Sequence, residues 1–358
     1  MTDPNREYRT LPGLWRAYEE VPRRLRFNAQ TPTEWHAWHE ALVQIVWDLL
    51  GHGPRDAYPL EPEVIETSDE GSFRLEKISL RCDADVFMPC YVLIPKLGYP
   101  PYRPVLALHG HGIGGAAHLV GRHVTDEQRR EEDWISSKNY DYARQLAERG
   151  YLVIAPEQRG FGERMERGVS MVDYADGHAF WASTCRALQH NALLLGKTAI
   201  GLRVWDAMRA IDYLRTRPEP QTERLACVGL SGGASTAMFL AALDQRVWAT
   251  VLSGYFSSFR AYLMPYIACE CNYIPRILEF AEMADLAALI APRPLLIQAG
   301  RYDETIPIKA TETAFEDLRP AYSLLDADHR LVSDFFDGGH AFNDAAFAFL
   351  ERWTDPDG

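Results

Sequence analysis

Short apolar runs alternate with helix-like segments along most of this sequence, and that alternation limits the possible folds more than any other feature. The segments between the runs carry apolar residues at helical spacing, as on one face of residues 199–218. Strands that alternate with helices predict a mostly parallel sheet covered by helices. Two further strand-like stretches, residues 72–82 and 86–95, come before the alternation. The alternating runs with the composition of buried strands are residues 104–110, 151–157, 225–230, 248–254, 294–300 and 331–339.

The chain preceding these strands predicts an N-terminal helical extension. Thr31, Pro32 and Glu34 occupy the positions of an N-cap, a first-turn proline and a capping-box acid. We therefore expect an extension over residues 1–60 and a single α/β unit over residues 61–358. The predicted helix carries its apolar residues on one face: Trp35, Trp38, Leu42, Ile45 and Leu49.

Charge and hydropathy exclude several classes of partner. The formal net charge of −13 disfavours nucleic acid and anionic membranes, since both would repel the chain. No run approaches the roughly eighteen apolar residues of a membrane span, and the first residues do not have the pattern of a signal peptide. We expect a cytoplasmic protein that acts on a small molecule; the sequence fixes no oligomeric state.

The pentapeptide Gly229-Leu230-Ser231-Gly232-Gly233 follows one predicted strand and precedes a helix-like segment. It fits the G-x-S-x-G nucleophile elbow, a tight turn that projects a serine hydroxyl above a parallel sheet. A glycine-rich turn without catalytic function would have the same letters, so the assignment depends on partners elsewhere in the chain.

Partners should follow strands, because ligands and chemistry collect beyond the carboxyl ends of parallel strands. Asp303 follows the strand ending at residue 300, and His340 follows the last strand. The order Ser, Asp, His is that of an α/β-hydrolase triad. The same criterion rejects three acidic or imidazole side chains that precede the last strand: Asp326, Asp328 and His329.

Each residue type has a chemical reason. A neutral serine hydroxyl is a poor nucleophile, so Ser231 needs an imidazole to take its proton, and His340 would supply it. The Asp303 carboxylate would hold the imidazole tautomer and stabilise the imidazolium. Acyl transfer also needs amides that bind an oxyanion; we expect one from Gly232 and one from the glycine-rich stretch 106–115.

Histidines and cysteines raise the possibility of a metal site. His109 and His111 form an H-x-H pair, but no acidic residue or third histidine accompanies them at helical spacing. The six cysteines follow no disulfide framework, and Cys269 and Cys271 form a C-x-C without a second cysteine pair. We therefore expect reduced, packed thiols, no metal site and no cofactor.

Five motifs together give a resemblance to a known family. The chain resembles α/β-hydrolases of the acetyl xylan esterase and dienelactone-hydrolase-like group, which includes carboxylesterases and cephalosporin-C deacetylases. The resemblance implies a mostly parallel eight-stranded sheet, residues 61–358 as the catalytic domain, the triad Ser231, Asp303 and His340, and oxyanion amides at His111 and Gly232. It is carried by "HGHGIGG", "PEQRGFGER", "GLSGGAS", "APRPLLIQAGRYDETIP" and "GGHAF".

From the triad we predict a serine carboxylic-ester hydrolase that acts on small soluble esters through an acyl-enzyme. Cleavage of a carbon–carbon or lactone bond on the same triad is the first alternative. A metal-dependent hydrolase using His109 and His111, or a binding protein without catalysis, would be of a different class. Three long connections, residues 111–138, 158–198 and 255–290, should form lid-like insertions over Ser231. Their aromatic residues predict an apolar pocket: Trp134, Phe180, Trp181, Tyr255, Phe256 and Tyr262.

Overall fold

A nine-stranded sheet forms the centre of the computed structural model, which describes residues 8–51, 58–112, 114–168, 183–265 and 268–355. The strand order is β1-β2-β3-β5-β4-β6-β7-β8-β9. The pairs β1/β2, β2/β3 and β3/β5 are antiparallel, and the other pairs are parallel. The strands are β1 Glu63–Asp69, β2 Phe73–Asp83, β3 Val86–Pro95, β4 Arg103–Leu108, β5 Tyr151–Pro156, β6 Leu225–Leu230, β7 Val247–Ser253, β8 Leu295–Gly300 and β9 Leu331–Phe336.

Helices cover both faces of this sheet, as the alternating pattern predicts. None of the helices in the described ranges has both the length and the apolar composition needed to cross a bilayer. The α-helices are α1 Leu11–Glu20, α2 Pro32–Leu50, α3 Gly115–Leu119, α4 Gln128–Lys138, α5 Tyr142–Glu148, α6 Cys185–Leu194, α7 Ala199–Leu214, α8 Gly232–Leu243, α9 Phe259–Tyr262, α10 Met283–Ala288, α11 Ile308–Leu324 and α12 Ala345–Thr354.

The predicted sheet of eight strands lacks one observed strand, β1. Its sequence, EVIETSD, is rich in acidic residues, and nearly every position is exposed. It pairs with β2 at one end of the sheet, where it has a neighbour on one side only. An exposed edge strand has no buried face to impose an apolar pattern, so its sequence carries little strand signal.

The central strands separate two apolar layers because their side chains alternate between the faces of the sheet. In β4, Leu106 and Leu108 pack into the layer that contains α2, α7 and α8. Val105 and Ala107 pack into the opposite layer, with α3, α5 and α12. All four side chains are buried, which accounts for the continuous apolar run of this strand.

The N-terminal helix predicted from residue 31 is observed as α2. The Thr31 hydroxyl accepts a hydrogen bond from Glu34 N at 3.2 Å, and Glu34 Oε2 accepts one from Gln30 N at 2.7 Å. Gly51 ends the helix in a left-handed conformation. The buried face packs into the same apolar layer as α7 and α8, so the helix covers the sheet; the division of the chain at residue 60 stays a prediction. The face comprises Trp35, Trp38, Leu42, Val46 and Leu50.

Candidate active site

Ser231 lies in the turn between β6 and α8, at the carboxyl edge of the sheet. Its backbone has φ 58° and ψ −120°, a region that residues other than glycine rarely occupy. Two backbone hydrogen bonds fix the turn: Ser231 N donates to Ser253 O at 2.8 Å, and Ser235 N donates to Ser231 O at 3.0 Å. Such strain is held in place by surrounding structure and is typical of functional sites.

Two positions of the pentapeptide require glycine because a side chain there would collide with neighbouring backbone atoms. A Cβ on Gly233 would lie 1.9 Å from Leu108 O, and a Cβ on Gly229 would lie 2.3 Å from the Gly233 carbonyl carbon. Strand β4, the helix α8 and the turn therefore approach each other at backbone distance. This close approach confirms the tight strand-to-helix turn predicted from the sequence, and the catalytic role of Ser231 stays a prediction.

Asp303 and His340 meet as the sequence predicts. His340 Nδ1 lies 2.7 Å from Asp303 Oδ2, and Asp303 Oδ1 accepts hydrogen bonds from Thr305 N at 2.7 Å and Ile306 N at 3.0 Å. Burial acts to raise the pKa of Asp303, but the hydrogen bond and charge of His340 and the two amides outweigh it and hold the pKa below its usual value. An ionised Asp303 keeps the proton on Nδ1, which leaves Nε2 as the proton acceptor of the ring.

The loops that carry Asp303 and His340 are joined at the ends of β8 and β9. Tyr302 N donates to Gly338 O at 2.9 Å, and a Cβ on Gly300 would lie 2.2 Å from Gly339 O. The Ser253 hydroxyl at the end of β7 donates to Ala341 O at 3.1 Å. Three adjacent strand ends therefore position the His340 loop.

The structure favours His111 over Gly110 as the loop donor to an oxyanion. Gly110 N already donates to the Tyr140 hydroxyl at 2.6 Å. Within the described ranges, the amides of His111 and Gly232 have no hydrogen-bond partner. A Cβ on Gly232 would lie 2.9 Å from His111 Nδ1, so these two residues are in contact beside Ser231. Among the residues that the structure describes, both expected donors are therefore unpaired beside Ser231, as an oxyanion site would require.

A cavity of about 520 Å³ opens over Ser231 and His340. Two of the three long connections contribute to its wall; Phe180 and Trp181, of the third, lie outside the described residues. Tyr255 and Phe256 pack in the apolar core, so they do not line this cavity as predicted. The apolar wall is formed by Trp134, Tyr140, Leu230, Tyr262 and Ala268, and the polar groups are Lys138, Glu304 and Thr305.

The H-x-H pair does not converge on one point. His109 Nδ1 lies 2.8 Å from Gly110 O, and its Nε2 accepts a hydrogen bond from Gln158 N at 2.9 Å. His111 Nε2 instead faces Cys271 Sγ at 3.6 Å. Both imidazoles contact the Phe161 ring edge to face, with centroids 5.3 and 5.0 Å away. A hydrolase centred on a metal between His109 and His111 therefore has no support in this geometry.

The cysteines of the C-x-C have neighbours that the sequence pattern does not show, and the expectation of packed, unliganded thiols there stays a prediction. The structure brings Cys185 and His111 to Cys269 and Cys271, so that each residue's ligand atom lies within 4.8 Å of the others. The sequence pattern missed this group because Cys185 is the start of α6, far from the C-x-C along the chain. Only the fold brings the four side chains together.

Three further residues of the site were missed by sequence reasoning: Tyr140, Gln158 and Thr236. Tyr140 orients Gly110, as described above. Gln158 follows β5 and accepts a hydrogen bond from the Thr236 hydroxyl of α8 at 2.6 Å, and its side-chain amide donates to His109 O. Gln158 thereby joins the glycine-rich loop to α8. Its position directly after a strand was the available signal.

The rejection of residues before the last strand agrees with the structure. His329 lies in the short 3₁₀ turn that leads into the amino end of β9, and its ring is 5.9 Å from that of Trp353 on α12. The Asp328 carboxylate accepts a hydrogen bond from the Ser323 hydroxyl. The structure therefore places these groups away from the carboxyl edge.

A buried ion-pair network supports the segment after β5. Arg159 binds Asp206 through two hydrogen bonds of 2.8 Å, and Arg164 Nη1 donates to Asp206 Oδ2 at 2.7 Å. Burial acts to raise the pKa of Asp206, but the two guanidinium groups outweigh it and lower the pKa to about 2.

We expect Asp206→Asn to lower the free energy of unfolding at pH 7 by about 3–5 kcal/mol, because two buried guanidiniums lose their counter-ion. The pKa of Asp206 is lower in the folded state than in the unfolded state. Its contribution to the free energy of unfolding is therefore complete above the pKa of the unfolded state, and it is lost as the pH falls through the folded-state pKa of about 2. Urea unfolding from pH 7 down to acid pH should show this difference shrink. Asp212→Asn, on the same helix but partly exposed, is the control; equal stability of both variants at pH 7 would contradict the prediction.

Comparison with known proteins agrees with this architecture. The model of the Abhydrolase family matches residues 16–317. A Bacillus subtilis (strain 168) protein named "Putative hydrolase YtaP" is 24% identical over 320 residues, which are 85% of this chain and 96% of that protein.

Solved structures share the fold at low sequence identity. A "putative acetyl xylan esterase" from Bacteroides fragilis has a TM-score of 0.75 and 18% identity, covering 100% of this chain and 86% of that chain. A glucuronoyl esterase from Solibacter usitatus has a TM-score of 0.65 and 14% identity, covering 94% of this chain and 98% of that chain. The sheet and its flanking helices thus have the predicted α/β-hydrolase fold.

Proposed function

The chain belongs to the Abhydrolase family, a family of hydrolase enzymes, and from that premise we propose that it hydrolyses carboxylic esters with Ser231 as the nucleophile. The observation that carries the proposal is the pairing of Asp303 with His340 at 2.7 Å. His340 lines the same cavity as Ser231, whose strained backbone lies at the start of α8. A strained serine and an aspartate–histidine pair at one cavity are the arrangement expected of a nucleophile with its base and acid, and a purely structural pair does not require such a serine beside it.

In the proposed reaction, Ser231 Oγ attacks the ester carbonyl and His340 Nε2 takes its proton. The tetrahedral intermediate expels the alcohol, to which His340 returns the proton, and leaves an acyl group on Ser231. His340 then activates a water that releases the acid. Asp303, whose side chain is only 1% exposed, holds the tautomer of His340, which is 22% exposed toward the cavity.

The oxyanion is the second element of the proposal. Developing negative charge on the carbonyl oxygen would accept hydrogen bonds from His111 N and Gly232 N, which are unpaired among the described residues. The Gly232 amide is at the first turn of α8, where the helix dipole also favours an anion. One such donor typically contributes about 3 kcal/mol to the stability of the transition state.

The cavity supports small esters as substrates. Its volume of about 520 Å³ lies within the range of small-molecule sites, and Trp134 and Tyr262 wall it. Similar structures include an acetyl xylan esterase from Paenibacillus sp. R4 and a glucuronoyl esterase, so esters of sugars are included in the proposal.

The proposed activity is tested with a panel of p-nitrophenyl esters and acetylated sugars, assayed with and without a metal chelator. We expect hydrolysis that survives chelation and stops when a serine-directed phosphonate labels Ser231. Hydrolysis of lactones or of carbon–carbon substrates without ester hydrolysis would favour the alternative on the same triad. A chain that neither turns over any ester nor reacts with the phosphonate would be a binding protein, which would overturn the proposal.

The cavity predicts a preference for short acyl groups. We expect kcat/KM to be highest at two to four acyl carbons and to fall towards decanoate, because Trp134 and Tyr262 limit the space beside Ser231. Trp134→Ala should shift the maximum to longer chains, since it removes a wall of the cavity. Trp353→Ala, on α12 outside this wall, should leave the profile unchanged. A steady rise to decanoate in the wild type would show an open groove instead.

A further inference from the structure

The side chains of His111, Cys185, Cys269 and Cys271 form a group that takes part in no step of the proposed reaction. Its members come from three segments: the loop after β4, the first residue of α6, and the chain between α9 and α10. Cys271 Sγ lies 3.1 Å from Cys269 Sγ and 3.6 Å from His111 Nε2. Cys185 and Cys271 are buried, and the other two are partly exposed.

Three thiols and an imidazole are a donor set of structural zinc sites. Zinc–sulfur bonds of about 2.3 Å and a zinc–nitrogen bond of about 2.0 Å, at tetrahedral angles, place ligand atoms roughly 3.5–3.8 Å apart. The distance of 3.6 Å from His111 Nε2 to Cys271 Sγ lies within that range. The other separations run from 3.1 Å up to 4.8 Å, so shifts of about an ångström would complete a tetrahedron.

Arg203 is an independent indication of negative charge at these sulfurs. Its side chain is 2% exposed, and Nη2 donates to Cys185 Sγ at 3.1 Å and to Arg159 O at 2.8 Å. Among the described residues, no carboxylate lies within ion-pair distance of Arg203. A buried guanidinium requires a compensating anion. Three thiolates around a divalent ion carry a net charge of −1, which Arg203 would balance.

We propose that His111, Cys185, Cys269 and Cys271 bind one zinc ion in a closed structural site. Four protein ligands leave no open position for water, so the ion takes no part in ester cleavage. The ion would lie beside the proposed active site, because His111 also offers the oxyanion amide and Cys269 lines the substrate cavity. The metal would fix the oxyanion loop, the start of α6 and the cavity wall to one another.

The test is the metal content of the full chain, purified after growth with added zinc and measured by inductively coupled plasma mass spectrometry. We expect about one zinc ion per chain in the wild type and at least a tenfold loss in Cys271→Ala. Cys90→Ala, a buried cysteine of β3 outside the group, should retain the zinc. Ser231→Ala should retain it too, so failure of this proposal and failure of the esterase proposal are distinguishable.

A second measurement uses only the wild type, in case Cys271→Ala does not fold. Cobalt added to the metal-stripped chain should produce the visible bands of a tetrahedral ion and thiolate-to-cobalt charge transfer in the near ultraviolet. Three results would overturn the proposal: metal-free protein that binds neither zinc nor cobalt, a disulfide between any two of the three cysteines in the purified protein, or stoichiometric iron or copper in place of zinc.

Discussion

Replacing Ser231 with alanine is expected to lower kcat for p-nitrophenyl acetate by about 10⁶-fold, the loss typical of a removed serine nucleophile. In the proposed reaction the hydroxyl forms the covalent intermediate, and the methyl group of alanine cannot. Alanine fits the turn because it keeps the backbone hydrogen bonds of Ser231 N and Ser231 O, so we expect the fold to be retained. Steady-state kinetics and circular dichroism of the purified variant measure the two effects.

Ser235→Ala is the matched control for this experiment. Ser235 is a buried serine one turn further along α8, outside the residues that line the cavity. Its replacement should leave the rate within a few-fold of the wild type. A folded Ser231→Ala variant that retains a tenth of the activity would remove Ser231 from the mechanism.

Asp303→Asn is expected to reduce kcat by ~10⁴-fold with little change in the fold. The amide can present its NH₂ to His340 Nδ1, which favours the tautomer that has its proton on Nε2 and cannot accept the serine proton. The pKa of Asp303 lies below its usual value of 3.8, so its titration should not appear in the profile of kcat/KM above pH 4. A pH series on wild type and variant measures both expectations.

Glu304→Gln distinguishes the acid from its neighbour, because Glu304 lines the same cavity and follows the same strand. It should retain most of the activity. Should Asp303→Asn remain active while Glu304→Gln loses activity, the acid of the triad would be Glu304.

The sequence predicted those parts of the site in which a residue follows a buried strand. Ser231, Asp303 and His340 follow β6, β8 and β9 within a few residues, and a parallel sheet brings those strand ends to one edge. Chemistry and chain order then selected the three residues from their neighbours. The strands themselves were predictable because burial on both faces demands an apolar run.

Features that depend on tertiary approach were not predictable in this way. Spacing along the chain does not show that Cys185 lies beside the two cysteines of the C-x-C, or that the Tyr140 hydroxyl accepts a hydrogen bond from Gly110 N. Tyr255 and Phe256 were expected in the pocket but are buried in the core, because an aromatic residue in a loop suits either place. The exposed strand β1 lacked a pattern altogether.

The left-handed backbone conformation of Ser231 lowers the free energy of unfolding at the same position where the proposed reaction needs a hydroxyl. A non-glycine residue in such a conformation costs on the order of 1–3 kcal/mol, a large part of the margin by which a domain stays folded. Alanine would lose the hydroxyl and keep that cost, whereas glycine would lose both. A duplicate of this chain released from selection for catalysis would therefore gain stability by exchanging its serine for glycine.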